Sequence, residues 1–291
     1  MASSANATAR PVLQAVKPRR FNQRKKALIL LIVSAAIIVA VFAVGTALTD
    51  QAIKTSFGSQ NIPPCPAHPF GTDWMGRDMF ARTFKGLSIS IVIGLLASLI
   101  STAIALVLGF LTASVGKWLD AVVNFLVNTM MGLPHLLLLV LICVALGKGA
   151  FGVLVAVAIT HWPSMTRLIR GEVLQLKNEN YVLISRKLGH NPIKVAVKHM
   201  LPHILPLVIV SFVLLFPHAI LHEASVTFLG FGLTPEQPGI GVVLSESLKY
   251  ITMGMWWLAV LPGASLLIIV VLFDRIGDGL KKLIDPHNAQ G

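Results

Sequence analysis

The chain alternates long unbroken apolar stretches with shorter polar ones. Apolar runs occupy residues 27–48, 87–110, 121–147, 150–166, 204–221 and 255–273, and none of them contains Asp, Glu, Lys or Arg. Roughly 20 helical residues cross about 30 Å of hydrocarbon, and an uncompensated charge at mid-bilayer costs about 2.5–3.5 kcal/mol on insertion scales. The pattern therefore predicts an all-α integral membrane protein with six spanning helices. A transmembrane barrel would instead show short alternating segments. The first run is 22 residues long, beyond the roughly 7–15 of a secretory h-region, and no A-x-A site follows it, so it reads as a retained span.

Composition agrees: 55% of residues are hydrophobic and only 12% charged, against about 25% charged in soluble domains. The net charge of +12 is distributed unevenly. With the N-terminus in the cytosol, 18 Lys and Arg fall on the cytosolic side and six on the other, while the acidic residues divide six and six. This is the positive-inside pattern, with both termini cytosolic. Basic loops between spans account for the high pI, so no nucleic-acid partner is implied. Cys65 and Cys143 have neither metal nor redox spacing. The expected organisation is a basic cytosolic tail at 1–26 lying against anionic membrane lipid, a first transmembrane helix at 27–48 and an external loop at 49–86. A transmembrane core at 87–275 follows, with a cytosolic insertion at 171–202 and an external segment at 223–254, and then a cytosolic tail at 276–291.

The insertion is the informative part. From Arg167 to Lys198 it carries seven basic residues against Glu172 and Glu179, too many charges to lie in lipid. Tyr181, Ile184 and Leu188, at i, i+3 and i+7, share one helical face. Gly189 suits the left-handed C′ position that ends a helix. Asn191 and Pro192 suit the N-cap and N1 of a second helix through Ile193, Val197 and Met200, with Pro202 bending the chain into the fifth span. Such a unit fits either a groove in a partner or the headgroup layer.

The arrangement YVLISRKLG, a spacer, then HMLPH resembles the "EAA loop" of permease subunits of binding-protein-dependent ABC importers. Leu183, Ile184 and Ser185 replace the usual Glu-Ala-Ala, whereas Gly189, Leu201 and Pro202 are retained. HPFGTDWMGRDMFAR (68–82), EASVTFLGFGLTPEQPGIG (223–241) and FDRIGDGLKKLIDPH (273–287) are similar to the C-type subunit of the dipeptide, oligopeptide and nickel permease group, with Ile240 where that group commonly has Trp. The resemblance implies a type I ABC importer permease fold in a bacterial cytoplasmic membrane. It further implies a second, non-identical permease subunit, two cytosolic ATPase subunits and an external substrate-binding protein, with nickel (free or chelated) or short peptides as cargo. Tyr181, Ile184, Ser185, Leu188, Gly189, Pro192, Leu201 and Pro202 would then couple to the ATPase. The chain has no G-x-x-x-x-G-K-[ST] phosphate loop, so it is expected to be non-catalytic and to bind no cofactor, ATP and Mg being held by the partner ATPase. The alternative class is an ATP-independent secondary transporter or channel, which would usually bury charged relay residues in its spans.

Several side chains are candidates for contact with cargo or partners. His218 and His222 lie i,i+4, about 6 Å apart on one helical face, as a transient metal pair or polar gate would require, or as histidines satisfying carbonyls opened by Pro217. Glu223 follows them, and Phe228, Gly230 and Phe231 in FLGFG are gate candidates, glycine permitting close backbone packing. His161 is a further histidine within a span. Met130 and Met131 are soft ligands or flexible packing beside a kink, and His199 and His203 flank Pro202 at the coupling joint. In the external loop, Gly71, Asp73, Gly76, Arg77 and Asp78 form either a docking surface or a self-bonded cap.

Overall fold

The computed structural model describes residues 23–114 and 117–284. Residues 1–22 of the basic tail, 115–116 of the turn after the second span and 285–291 at the C-terminus lie outside them. The described residues are helical: α1 (Gln23–Ala47), α2 (Met79–Ser114), α3 (Lys117–Gly132), α4 (His135–Leu146), α5 (Ala150–Leu176), α6 (Asn180–Lys187), α7 (Pro192–Val195), α8 (Leu201–Phe228), α9 (Ile240–Ile251) and α10 (Trp257–Ile284). Five segments are long and apolar enough to span a membrane: Arg24–Ala47, Met79–Ala113, Ala150–Leu176, Ile193–Phe228 and Trp257–Ile284.

The sixth expected span, 121–147, is not one rod. It is the pair α3 and α4, bent by 100°. Pro134 supplies the reason, because it has no amide hydrogen and disfavours helical geometry at the preceding Leu133. The helix restarts at His135, with Pro134 in the N-cap position. The kink expected beside Met130 and Met131 is therefore a full corner, not a slight bend within one span.

Other boundaries also move. The loop expected at 49–86 gives way to helix after Asp78, since Asp78 Oδ1 accepts the Ala81 amide at 2.9 Å and caps α2. Helix α8 runs on to Phe228, which puts Glu223 fully buried inside it instead of at the start of an external segment. Helix α10 continues through 276–284, expected as tail. Pro202 does not bend the chain: Ile193–Phe228 is one helical segment, and a π-helical turn at Ala196–Met200 precedes Pro202. The wider turn accommodates the proline ring, which would otherwise meet the carbonyl four residues back.

Helix α2 is the central element, packing on α5, α8, α1 and α9. Buried clusters hold the bundle, three of them large and a small fourth formed by Met79, Val243 and Leu258. One, at the α6/α7 end, joins Ile169, Val173 and Ile204 to Val182 and Val195. A second packs Leu139 and Cys143 of α4 against Val153 and Val157 of α5. The third packs Leu87 and Ile91 against Phe216, Ile220 and Phe273. Pro163, Pro206, Pro217 and Pro262 all lie inside long helices, which membrane bundles tolerate because neighbouring groups satisfy the freed carbonyls.

Candidate functional site

Three places gather the candidate residues: the helical hairpin at one end of the bundle, a platform at the other, and a cavity between them.

The hairpin is α6, a turn and α7. Val182 of α6 and Val195 of α7 are fully buried against the bundle, and Ser185 is nearly so. The opposite face is bare: Tyr181 is 36% exposed, Ile184 57% and Leu188 71%, with Ile193 at 72% and Val197 at 58% beside them. Met200, expected to share a stripe with Ile193 and Val197, is buried instead. Gly189 ends α6 with φ +78°. The Gly189 amide donates to Arg186 O at 3.0 Å and the His190 amide to Ser185 O at 3.3 Å, the bond pair of a left-handed helix stop. Ser185 Oγ lies 3.0 Å from His190 Nδ1, tying the turn to the helix. Asn191 Oδ1 accepts the Ile193 amide at 2.9 Å and caps α7, whose first residue is Pro192. Tyr181 leans on His203 and His199, ring centroids 5.4 and 6.5 Å away. Burial, and after it the Glu179 carboxylate, hold the pKa of its hydroxyl above the ordinary value. Leu201 and Pro202 open α8 directly above.

At the far end, the candidate residues of the loop before α2 are mostly committed to one another. Asp73 is 3% exposed. Its Oδ1 accepts the Met75 and Arg77 amides, both at 2.9 Å, and its Oδ2 takes Arg77 Nε at 2.7 Å and Arg82 at 2.9 Å. Both arginines also donate to Glu246 Oε2 of α9, at 2.8 and 2.9 Å. Asp78 adds a bond to His68 at 2.6 Å. Gly71 and Gly76, at φ +71° and +74°, turn the loop. This is the self-bonded arrangement, and it pins the loop to α9; Arg82 and Glu246, 164 residues apart, have no local sequence signal.

The FLGFG stretch also differs from expectation. Gly230 (φ +85°) stops α8 in the same left-handed way, its amide donating to Thr227 O and that of Phe231 to Val226 O. Open space surrounds it, and the close-packed glycine is Gly232, where a Cβ would collide with Thr227. Phe228 lines an apolar hollow of about 320 Å³ with Leu136 and Leu266. Lys148 sits 5.6 Å from the Phe231 ring and donates to Gly230 O at 2.7 Å.

The cavity lies at the α3–α4 corner. It measures about 360 Å³ and is lined by Met130 and Met131 at the bend, by Thr160, His161 and Ser164 of α5, and by His218 and His222 of α8, with His135 completing the wall. His218 and His222, expected on one helical face, both line this wall, His218 exposed. His222 also meets His135 and His161, at ring-centroid distances of 4.5 and 5.1 Å. Glu223 faces away, its Oε1 accepting from Thr227 at 3.1 Å. His135 carries no i,i+4 partner and escapes notice in sequence, where the only available signal is that it lies within an apolar run.

Comparison with known proteins gives the architecture a family. Residues 105–289 match the model of the binding-protein-dependent transport system inner membrane component. The dipeptide transport system permease protein DppC of Bacillus subtilis (strain 168) is 36% identical over 234 residues, covering 80% of this chain and 73% of that protein. The oligopeptide transport system permease protein OppC of the same organism is 35% identical over 268 residues, 92% of this chain and 87% of that protein. Among solved structures, an inward-facing methionine ABC transporter, MetNI, superposes with a TM-score of 0.55 over 69% of this chain and 97% of that one; at 21% identity it supports the fold alone. The chain therefore belongs to the binding-protein-dependent transport system inner membrane components, multi-pass permease subunits of ABC importers with no catalytic centre of their own.

Proposed function

We propose that the chain forms half of the translocation pathway of an ATP-driven peptide importer, with both termini and the α6–α7 hairpin in the cytosol. The observation that carries this is the two-sided burial of α6. Val182 and Ser185 anchor it to the bundle, while Ile184 and Leu188 stand outward, uncovered by the described residues, beside Tyr181, whose ring leans on His203 and His199. A short, rigidly capped helix with an unpartnered apolar face is shaped to sit in a groove of a partner, and in an ABC importer that partner is the ATPase. Gly189 and Pro192 fix the turn, and Leu201 and Pro202 pass its motion into α8.

The basic residues support the orientation, since the α6–α7 end carries the positive excess. Short peptides are the cargo because the relatives that cover most of the chain are named as dipeptide and oligopeptide permeases. Nickel, free or chelated, is the second cargo, favoured by the histidine-lined cavity. A second, non-identical permease subunit would complete the pathway, two ATPase subunits would supply the energy, and the external platform around Trp74, 38% exposed, would receive the substrate-binding protein. The Asp73 side chain is spent inside the loop and shapes that platform without touching the partner.

The test is uptake of a labelled dipeptide into vesicles holding the complete assembly. ATP-dependent accumulation that stops when the ATPase subunits are omitted is expected. Uptake that persists without them would establish the secondary transporter or channel instead.

A further inference from the structure

We propose that His135, His161 and His222 form a binding site for a first-row divalent transition-metal ion, open to the cavity at the α3–α4 corner. Each histidine comes from a different helix: the first residue of α4, the middle of α5 and the last third of α8. Each offers one ring nitrogen, and the three lie within 4.8 Å of one another. Metal–imidazole bonds of about 2.0–2.1 Å place the nitrogens of a tetrahedral set roughly 3.4 Å apart. Closing that gap takes modest rotation of His135 and His222, which are only partly buried, around the buried His161.

The orientation of His161 favours a ligand over a packing role. Its Nδ1 lies 2.8 Å from Val157 O. A carbonyl can only accept, so Nδ1 carries the hydrogen and the Nε2 lone pair is available to the cluster. A backbone carbonyl behind one ring nitrogen, fixing the tautomer of the other, is the usual support of a metal-bound histidine. Nε2 of His161 and Nε2 of His135 are both buried without a hydrogen-bond partner among the described protein atoms. Structural histidines in a core normally satisfy both nitrogens.

The donor set selects the ion. Three imidazoles with no carboxylate suit zinc, nickel, cobalt or copper and disfavour calcium and magnesium, which require oxygen ligands. Three protein ligands leave a position open, and His218 and Met131 line the same cavity as exchangeable donors. An incomplete shell of this kind suits an ion that arrives and leaves. Its significance for transport rests on the pathway proposed above; the site itself does not.

The experiment is a titration of the purified assembly in lipid nanodiscs, at rest and without ATP, using Co²⁺ alone and reading its visible absorption alongside equilibrium dialysis. One Co²⁺ per copy of this chain is expected, with the intensified bands of a low-symmetry nitrogen environment. His161→Ala, His135→Gln and His222→Gln should each weaken binding by more than about tenfold. A His199→Ala, His203→Ala double variant, which removes the other i,i+4 histidine pair, should bind as the parent does. Gel-filtration profiles identical to the parent certify the variants, and the cavity-facing His222→Gln serves where burial makes His161→Ala misfold. Weak multi-site binding in the parent, or stoichiometric binding that survives loss of all three histidines, would overturn the site. Because the readout needs neither ATP nor cargo, it stands or falls separately from peptide uptake.

Discussion

Gly189 offers the sharpest test of how the hairpin is held. Its φ of +78° is left-handed, and a Cβ built there meets no atom within 4 Å. A Cβ added there therefore acts through the backbone and not through a clash. Forcing an L-residue with a Cβ into that region costs roughly 1–2 kcal/mol, more for a β-branched side chain and less for Asn, whose short amide bonds locally. Helix α6 has only eight residues, too few to persist without its stop and its anchors. The cost should then appear as a smaller population of the docking-competent turn, and apparent affinity falls with that population. Expressed as binding, 1–2 kcal/mol is about 5–30-fold. The assay is titration of the isolated ATPase subunit against the permease in nanodiscs. The expected order of affinity is parent, Gly189→Asn, Gly189→Ala, Gly189→Val, with Ala weakened by up to about 30-fold and Asn by less. If packing mattered instead, the larger Asn would be worse than Ala; that order, or no loss with Val, would refute the reasoning.

Other substitutions separate the faces and the platform. Ile184→Asp or Leu188→Asp should abolish copurification of the ATPase while leaving the thermal melt of the permease within about 0.5 kcal/mol of the parent, as for exposed positions. Val182→Asp, which buries an unpaired carboxylate, should lower the melt itself. Arg82→Met removes a 3%-exposed guanidinium from between Asp73 and Glu246 and should cost about 3 kcal/mol or more in the melt, with protease sensitivity rising in the 54–78 loop. Glu246→Gln, at a position 26% exposed, should cost clearly less. Gly232→Ala, whose Cβ would collide with Thr227, should destabilise the α8–α9 connection and show as faster amide exchange there.

The parts of this protein that sequence shows are those determined locally. Asn191 and Pro192 specify a helix start, and Gly189 a stop, because capping geometry involves only neighbours in the chain; the structure places all three as the pattern requires. Five of the six apolar runs lie in single helices long and apolar enough to span a membrane, for the same reason, since that property is a matter of length and composition. The Arg82–Glu246 bonds and the meeting of His135, His161 and His222 depend on how distant segments pack. Val182 and Val195, which pack on the bundle, carry no periodic signal of their own beside the Tyr181, Ile184, Leu188 stripe.

The central claim is that the outward face of α6 meets a cytosolic ATPase. Its most direct measurement is site-directed cross-linking in the intact assembly, with Leu188→Cys placed in a chain whose Cys65 and Cys143, neither of them in a disulfide, have been changed to Ser. A short bis-maleimide should join position 188 to the ATPase subunit, in a yield that changes with nucleotide, while an impermeant maleimide added outside right-side-out vesicles should leave it unlabelled. Labelling from the outside, or a cross-link that never includes the ATPase, would contradict the account.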